Sequence, residues 1–255
     1  MLGVASLKFI LISPLVSGAG ASTIAANLSY CLSKKDERVL LVSAERSFSE
    51  TDALFGLPSG RVPGWRSSDT PLEDLTWKIS PTLHYLPAGR SDISSPVGQK
   101  KFRSENELIQ SLNDETGIEW LVLDGFNRDS LIRATGQNSG IALHVVEANS
   151  SGMQALSEFR NSGDWSIPGT YCLVNKHHQR SRLEQDLVKL FRNFLQEKFC
   201  PVVFGFDEIA LRAALRKEVL CQNFAFTDLG EKFFDLSTWV KLRFVSANPE
   251  RVAQT

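Results

Sequence analysis

The residues with the most evident chemistry are Ser17-Gly18-Ala19-Gly20-Ala21-Ser22-Thr23, a run of small side chains between an apolar segment and a helix-period segment. Residues this small let consecutive backbone N–H groups curl around an anion, and the start of the next helix adds partial positive charge. Ser22 and Thr23 place two hydroxyls on the first helical turn, one suited to a magnesium ion and one to a phosphate oxygen. The phosphate-loop pattern is G-x-x-x-x-G-K-[ST]. Leu15 stands at its first Gly and Ala21 at its Lys, so the pattern fails twice. Taken alone, the segment is equally a tight strand-to-helix turn with a Ser or Thr cap.

A second candidate is Asp124, which ends the apolar run Trp120-Leu121-Val122-Leu123. In phosphate-loop proteins such an Asp supports the magnesium, directly or through water. The other reading of Asp124 is a cap on the following turn. Arg212 and Arg216 lie four apart on one helix face and can meet an anion or an acidic partner, or simply form a solvated charged face. His84 and His144 sit inside apolar runs, and His177 and His178 lack ligand companions at metal spacing, so all four read as structural or surface residues.

The elements that must position these groups follow from periodicity. Apolar runs at 7–13, 38–44, 82–89, 119–125, 141–148, 170–176 and 201–206 alternate with helical stretches. Several runs are nearly continuous, as expected of strands covered by helices on both faces. Ile24, Leu28, Cys31 and Leu32 form one core-facing helical stripe, and Leu183, Leu187, Leu190, Phe191 and Phe194 a second. A last helix is expected from about 229 to 242. The Pro-, Gly- and Ser-rich stretch 58–72 reads as a surface loop. The sum is an α/β protein, a mostly parallel twisted sheet with helices on both faces, in a single domain over 1–247 with a polar tail at 248–255. Ligands of such sheets bind beyond the carboxyl ends of the strands, where the loop and Asp124 lie.

Composition narrows the function. The chain has 255 residues and a formal net charge of −1, without the Lys and Arg excess of a duplex-binding protein, so no specific nucleic-acid partner is expected. The apolar start at Leu7–Ile12 is too short to cross a bilayer, so no transmembrane segment is expected. Cys31, Cys172, Cys200 and Cys221 form no C-x-x-C pair and are expected to be buried, reduced thiols of a cytoplasmic protein.

The loop resembles that of the MinD/ParA family of deviant phosphate-loop ATPases, which reads K-G-G-x-G-K-[ST]-T. Gly18, Gly20, Ser22 and Thr23 match it, whereas Val16 and Ala21 stand at the two lysines and Ser17 at the first Gly. The second strand is the stronger match. The family's V-L-L-V-D-x-D and T-D-A-L-F-G-L are answered by Val39-Leu40-Leu41-Val42-Ser43-Ala44-Glu45 and Thr51-Asp52-Ala53-Leu54-Phe55-Gly56-Leu57. Ser43 takes the place of the carboxylate beside magnesium, and Glu45 that of the carboxylate that helps to position water. Among the branches of the family, the loop course and Asp207-Glu208-Ile209-Ala210 most resemble the BcsQ-like accessory proteins of cellulose biosynthesis.

The resemblance implies ATP and magnesium as cofactors, weakened by loss of the loop lysines. Ser17, Gly18, Ala19, Gly20, Ala21, Ser22 and Thr23 would hold phosphates, and Ser22 and Asp124 the metal. Asn175, in Val174-Asn175-Lys176, would read the adenine edge with an amide that both donates and accepts, and Asp207 would lie by the base. A turn Asn is the other reading of Asn175. A homodimer, or a heterodimer with a related subunit, is implied, with components of a cellulose or exopolysaccharide synthase complex as partners at the inner face of the membrane. Three functions remain open at this point. One is a regulatory protein that binds ATP with little or no hydrolysis. Another is an active ATPase with cations from Arg46, Lys176 or a partner chain, placing a secretion or partition machine. The third is a nucleotide-free interaction scaffold.

Overall fold

The computed structural model describes residues 7–45, 50–58, 62–68, 70–89, 104–113, 117–127, 129, 132 and 140–247, with the backbone alone for 245–247. Arg46 and the tail at 248–255 lie outside the described residues. The strands are β1 (Lys8–Pro14), β2 (Val39–Ser43), β3 (Trp77–Lys78), β4 (Leu83–Leu86), β5 (Trp120–Asp124), β6 (Gly140–Glu147) and β7 (Thr170–Asn175). They form one sheet in the order β3-β4-β2-β5-β1-β6-β7. Only β3 runs antiparallel. The described helices are α1 (Ala21–Ser33), α2 (Glu50–Leu54), α3 (Leu72–Leu75), α4 (Glu105–Asn113), α5 (Ser150–Arg160), α6 (Arg182–Leu195), α7 (Glu208–Arg216), α8 (Leu220–Asn223) and α9 (Asp228–Ala247).

The continuous apolar strands are buried on both faces because their alternate residues face different helices. Ile10, Ile12, Leu41 and Val122 pack with Ile24, Leu28 and Leu32 of α1 and with Phe233, Leu236 and Val240 of α9. Phe9, Leu11, Leu40 and Leu123 pack on the opposite side with Leu108, Ile109 and Leu112 of α4. Each wholly buried Leu or Ile contributes roughly 1.5–3 kcal/mol of transfer free energy. The helix α1 is buried almost all round, and its interior Asn27 is satisfied. Asn27 donates to Thr23 O at 2.9 Å and accepts the Cys221 N–H at 3.0 Å, fastening α8 to α1. All four cysteines are free and buried. His144 is buried, its ring tilted against Phe159, and shares a 2.9 Å hydrogen bond with Ser13.

The structure differs from the sequence-based expectations at five places. The run 201–206 is no regular strand. It follows β7 through the bonds Cys200 N–H to Cys172 O and Phe204 N–H to Val174 O. Four residues on one side therefore span two on the other, with Pro201, which has no N–H, inside the bulge. Strand β3 was not expected from the sequence, since two exposed residues carry no period. The stretch 58–72 is not simply a surface loop, because Val62 and Trp65 are buried and the Trp65 indole N–H donates to Ser43 O at 2.8 Å. The second helical stripe is only half right. Phe191 is buried together with Leu195, but Leu183 and Leu190 are exposed. The last helix runs on to Ala247, past the expected end at 242.

Candidate functional site

Parallel register brings three strand ends together. Ile12 of β1 and Ser43 of β2 both lie opposite Asp124 of β5. Beyond them opens a cleft of about 370 Å³ lined by Pro14, Ser17, Gly18, Gly20, Ala21, Ser22, Ala44, Glu45, Glu50, Asp124 and Gly125.

The loop is held open by backbone geometry. Gly18 and Gly20 adopt φ values of +82° and +87°, which L side chains rarely accept. The Ala19 N–H turns inward to Val16 O at 3.1 Å, and Ala19 is buried. Gly20 is the N-cap of α1 and offers no side chain to the helix end. Ser22 and Thr23 therefore sit inside the first turn rather than capping it. The first helical N–H to find a carbonyl is that of Ile24, on Gly20 O at 3.1 Å. Those of Ala21, Ser22 and Thr23 precede it at an uncapped helix end, where an anion is stabilised.

Strand β7 braces the loop from outside the cleft. The Asn175 Nδ2 donates to Ala19 O at 2.8 Å. Lys176 donates from Nζ to Gly18 O. Contact is so close that a Cβ on Gly20 would stand 2.5 Å from Asn175 Nδ2. Asp207 is not part of the cleft lining. It caps α7, accepting the Ile209 N–H at 2.9 Å. The structure thus gathers Ser17, Gly18, Gly20, Ala21, Ser22 and Asp124 around one space, and sets Ala19, Thr23, Asn175 and Asp207 outside its lining.

Electrostatics are the site's unusual property. Among the described residues the lining contains Glu45, Glu50 and Asp124 but no Lys or Arg. Asp124 is buried and accepts the Thr51 hydroxyl at 3.0 Å and a hydrogen bond from Ser22. Burial above all pushes its carboxyl up to about 7. Glu45 and Glu50 add to the rise, against the two hydrogen bonds. The Thr23 hydroxyl donates to Glu50 at 2.6 Å. Ser43, at the position of the family's metal-side carboxylate, is buried and accepts the Glu45 N–H at 3.2 Å. Glu50 and Thr51 were not singled out as site residues. They precede or open a motif recognisable in sequence, but only the fold turns α2 toward the loop.

The T-D-A-L-F-G-L stretch itself has a structural role. Thr51 binds Asp124, while Asp52 is buried and accepts the Tyr85 hydroxyl of β4 at 2.7 Å. Arg212 and Arg216 are exposed on α7, beside the exposed Leu211 and Leu215, away from the cleft lining. Among the described residues no group of three or more His, Cys, Asp or Glu side chains is arranged to hold a metal by itself.

Known proteins share this architecture. The MinC:MinD cell division complex of Aquifex aeolicus matches with a TM-score of 0.71 at 17% identity, covering 92% of this chain and 95% of the other. The septum site-determining protein MinD of Pyrococcus horikoshii, solved with Mg-ADP, matches with a TM-score of 0.67 at 16% identity over 91% of this chain and 94% of its own. These likenesses establish the fold expected from the loop and second strand. A curated relative, the flagellum site-determining protein YlxH of Helicobacter pylori, is 28% identical over 122 residues, which is 46% of this chain and 40% of that protein's length. The branch resemblance is borne out as well: the family model of the cellulose biosynthesis protein BcsQ matches residues 7–233, nearly the whole sheet and its helices, and the chain belongs to that family.

Proposed function

We propose that this protein is a MinD/ParA-like accessory or regulatory protein of bacterial cellulose or exopolysaccharide biosynthesis and secretion, which binds ATP with magnesium and hydrolyses it little or not at all. The observation that carries the reading is the cleft itself, with an open, uncapped helix end and two oxygen ligands but no lining cation among the described residues. The free N–H groups of the first turn of α1 hold the phosphates, and Ser22 with Asp124 holds magnesium. Magnesium supplies positive charge that the described lining lacks and offsets its three carboxylates.

The missing lysines decide how much chemistry survives. One charge-assisted hydrogen bond to phosphate is worth about 1.5–3 kcal/mol, so each lost lysine weakens binding about ten- to hundredfold. Phosphoryl transfer loses more, because it depends on cations at the transferring phosphate. Phosphate release at saturating ATP and magnesium tests this part. Turnover below about one per minute is expected, and sustained faster release overturns the non-hydrolysing reading.

The assembly part of the proposal is a homodimer, or a heterodimer with a related subunit, joined to synthase components at the inner face of the membrane. The exposed Phe206, Leu211 and Leu215 around α7 support a protein partner on that side. No helix among the described residues is long and apolar enough to cross a membrane, so recruitment rests on such a partner. A nucleotide-free scaffold is favoured by one observation, the three carboxylates in the cleft. Nucleotide released from the purified protein, seen as absorbance near 260 nm, excludes it.

A further inference from the structure

We propose that Lys176 is the phosphate-binding cation of this chain, reaching the loop from β7 in place of the lysines missing at positions 16 and 21. The inference rests on the nucleotide reading above and names the residue that makes it workable. Lys176 follows the last residue of β7 with φ +57°, a left-handed conformation uncommon outside glycine. Its side chain lies along the loop. Nζ meets Gly18 O, and Cε lies 3.6 Å from the position a Gly20 Cβ would take. Gly18 and Gly20 both line the cleft.

The ammonium is placed at the phosphate loop but not locked there. Its ion partner is Glu147 at the end of β6, 3.4 Å away, and the two side chains are 42% and 31% exposed. A pair this exposed is weak and readily exchanged. An ammonium has three donors, and Gly18 O and Glu147 use two. The third is available to a phosphate oxygen seated on the loop. Cleft chemistry makes the demand explicit, since every ionisable side chain that lines it among the described residues is an acid. Lys176 does not itself line the cleft; with its Glu147 pair exchanged, the ammonium reaches over Gly18 to a triphosphate that meets magnesium on the Ser22 and Asp124 side.

Two roles must be separated, because Lys176 also ties down Gly18. Titration calorimetry with ATP and magnesium on the full chain, using Lys176→Arg, Lys176→Gln and Lys176→Ala, separates them, with thermal melting to confirm that each variant is folded. Glutamine keeps an N–H donor for Gly18 without the charge. The expected result is wild-type affinity within about threefold for Lys176→Arg and a loss of about ten- to hundredfold for both neutral variants. The salt dependence of the affinity should also fall in the neutral variants. If ATP binds equally to wild type and all three variants, Lys176 is not the cation while the nucleotide reading stands. If Lys176→Gln binds as wild type does and only Lys176→Ala is weak, the residue is a tether and the proposal is overturned. If the wild type itself binds no ATP, the nucleotide reading fails, and this inference with it.

Discussion

Thr51 and Asp124, 73 residues apart in sequence, are joined by a 3.0 Å hydrogen bond that ties α2 to the end of β5. The bond stabilises the charged form of a carboxylate that burial keeps near neutral. Thr51→Val keeps the shape and removes the donor. Stability should fall by about 1–2 kcal/mol at pH 8, where Asp124 is ionised, and by less at pH 5. Urea unfolding at the two values measures the difference.

The raised carboxyl of Asp124 also sets a slope of stability with pH. The folded value of about 7 lies above the ordinary 3.8 of the unfolded chain. Between those values the native state holds the proton that the unfolded state has lost. Stability is therefore fully present below about pH 4 and is lost as pH rises toward 7, for this group alone. Asp124→Asn removes the slope. Without nucleotide or metal, the variant should gain on the wild type between pH 5 and pH 8 by an amount on the order of a few kcal/mol. The same variant should lose the magnesium dependence of ATP binding.

The two loop glycines should respond differently to alanine. At Gly18 a Cβ meets nothing within 4 Å, so the cost is backbone strain, about 1–2 kcal/mol. At Gly20 the same strain is joined by a 2.5 Å approach to Asn175 Nδ2, which must give up its bond to Ala19 O. Gly20→Ala should therefore cost roughly 1–3 kcal/mol more than Gly18→Ala. In an Asn175→Ala background the excess should largely vanish, a non-additivity that chemical denaturation of the four variants detects.

Restoring a lysine should restore affinity. Ala21 lines the cleft at the position where the family carries its second loop lysine. Ala21→Lys should tighten ATP binding about tenfold or more while leaving phosphate release slow, because Val16 and Ser43 remain. Unchanged affinity in a folded variant would show that the cleft does not present position 21 to a phosphate.

Much of this was legible in the sequence, and the limits have physical causes. Six of the seven expected strands are present because buried parallel strands write themselves as unbroken apolar runs. The run at 201–206 has the same composition, but its bulge and Pro201 break the ladder, and apolar content alone does not reveal that. The stripe on α6 misleads because Leu183 and Leu190 follow the helical period yet face outward. The small residues of the loop point to an anion cradle. The bracing by Asn175 and Lys176 does not show in any local pattern, since 156 and 158 residues separate those partners. Glu50 is similarly invisible until α2 folds against Thr23.

Equilibrium dialysis of radiolabelled ATP against the purified full chain, with magnesium and then with excess chelator, bears most directly on whether a cradle that has lost its loop lysines still takes a triphosphate. The expected outcome is saturable binding of one ATP per chain that is lost when magnesium is removed. No saturable binding at millimolar ATP with magnesium present would contradict the account.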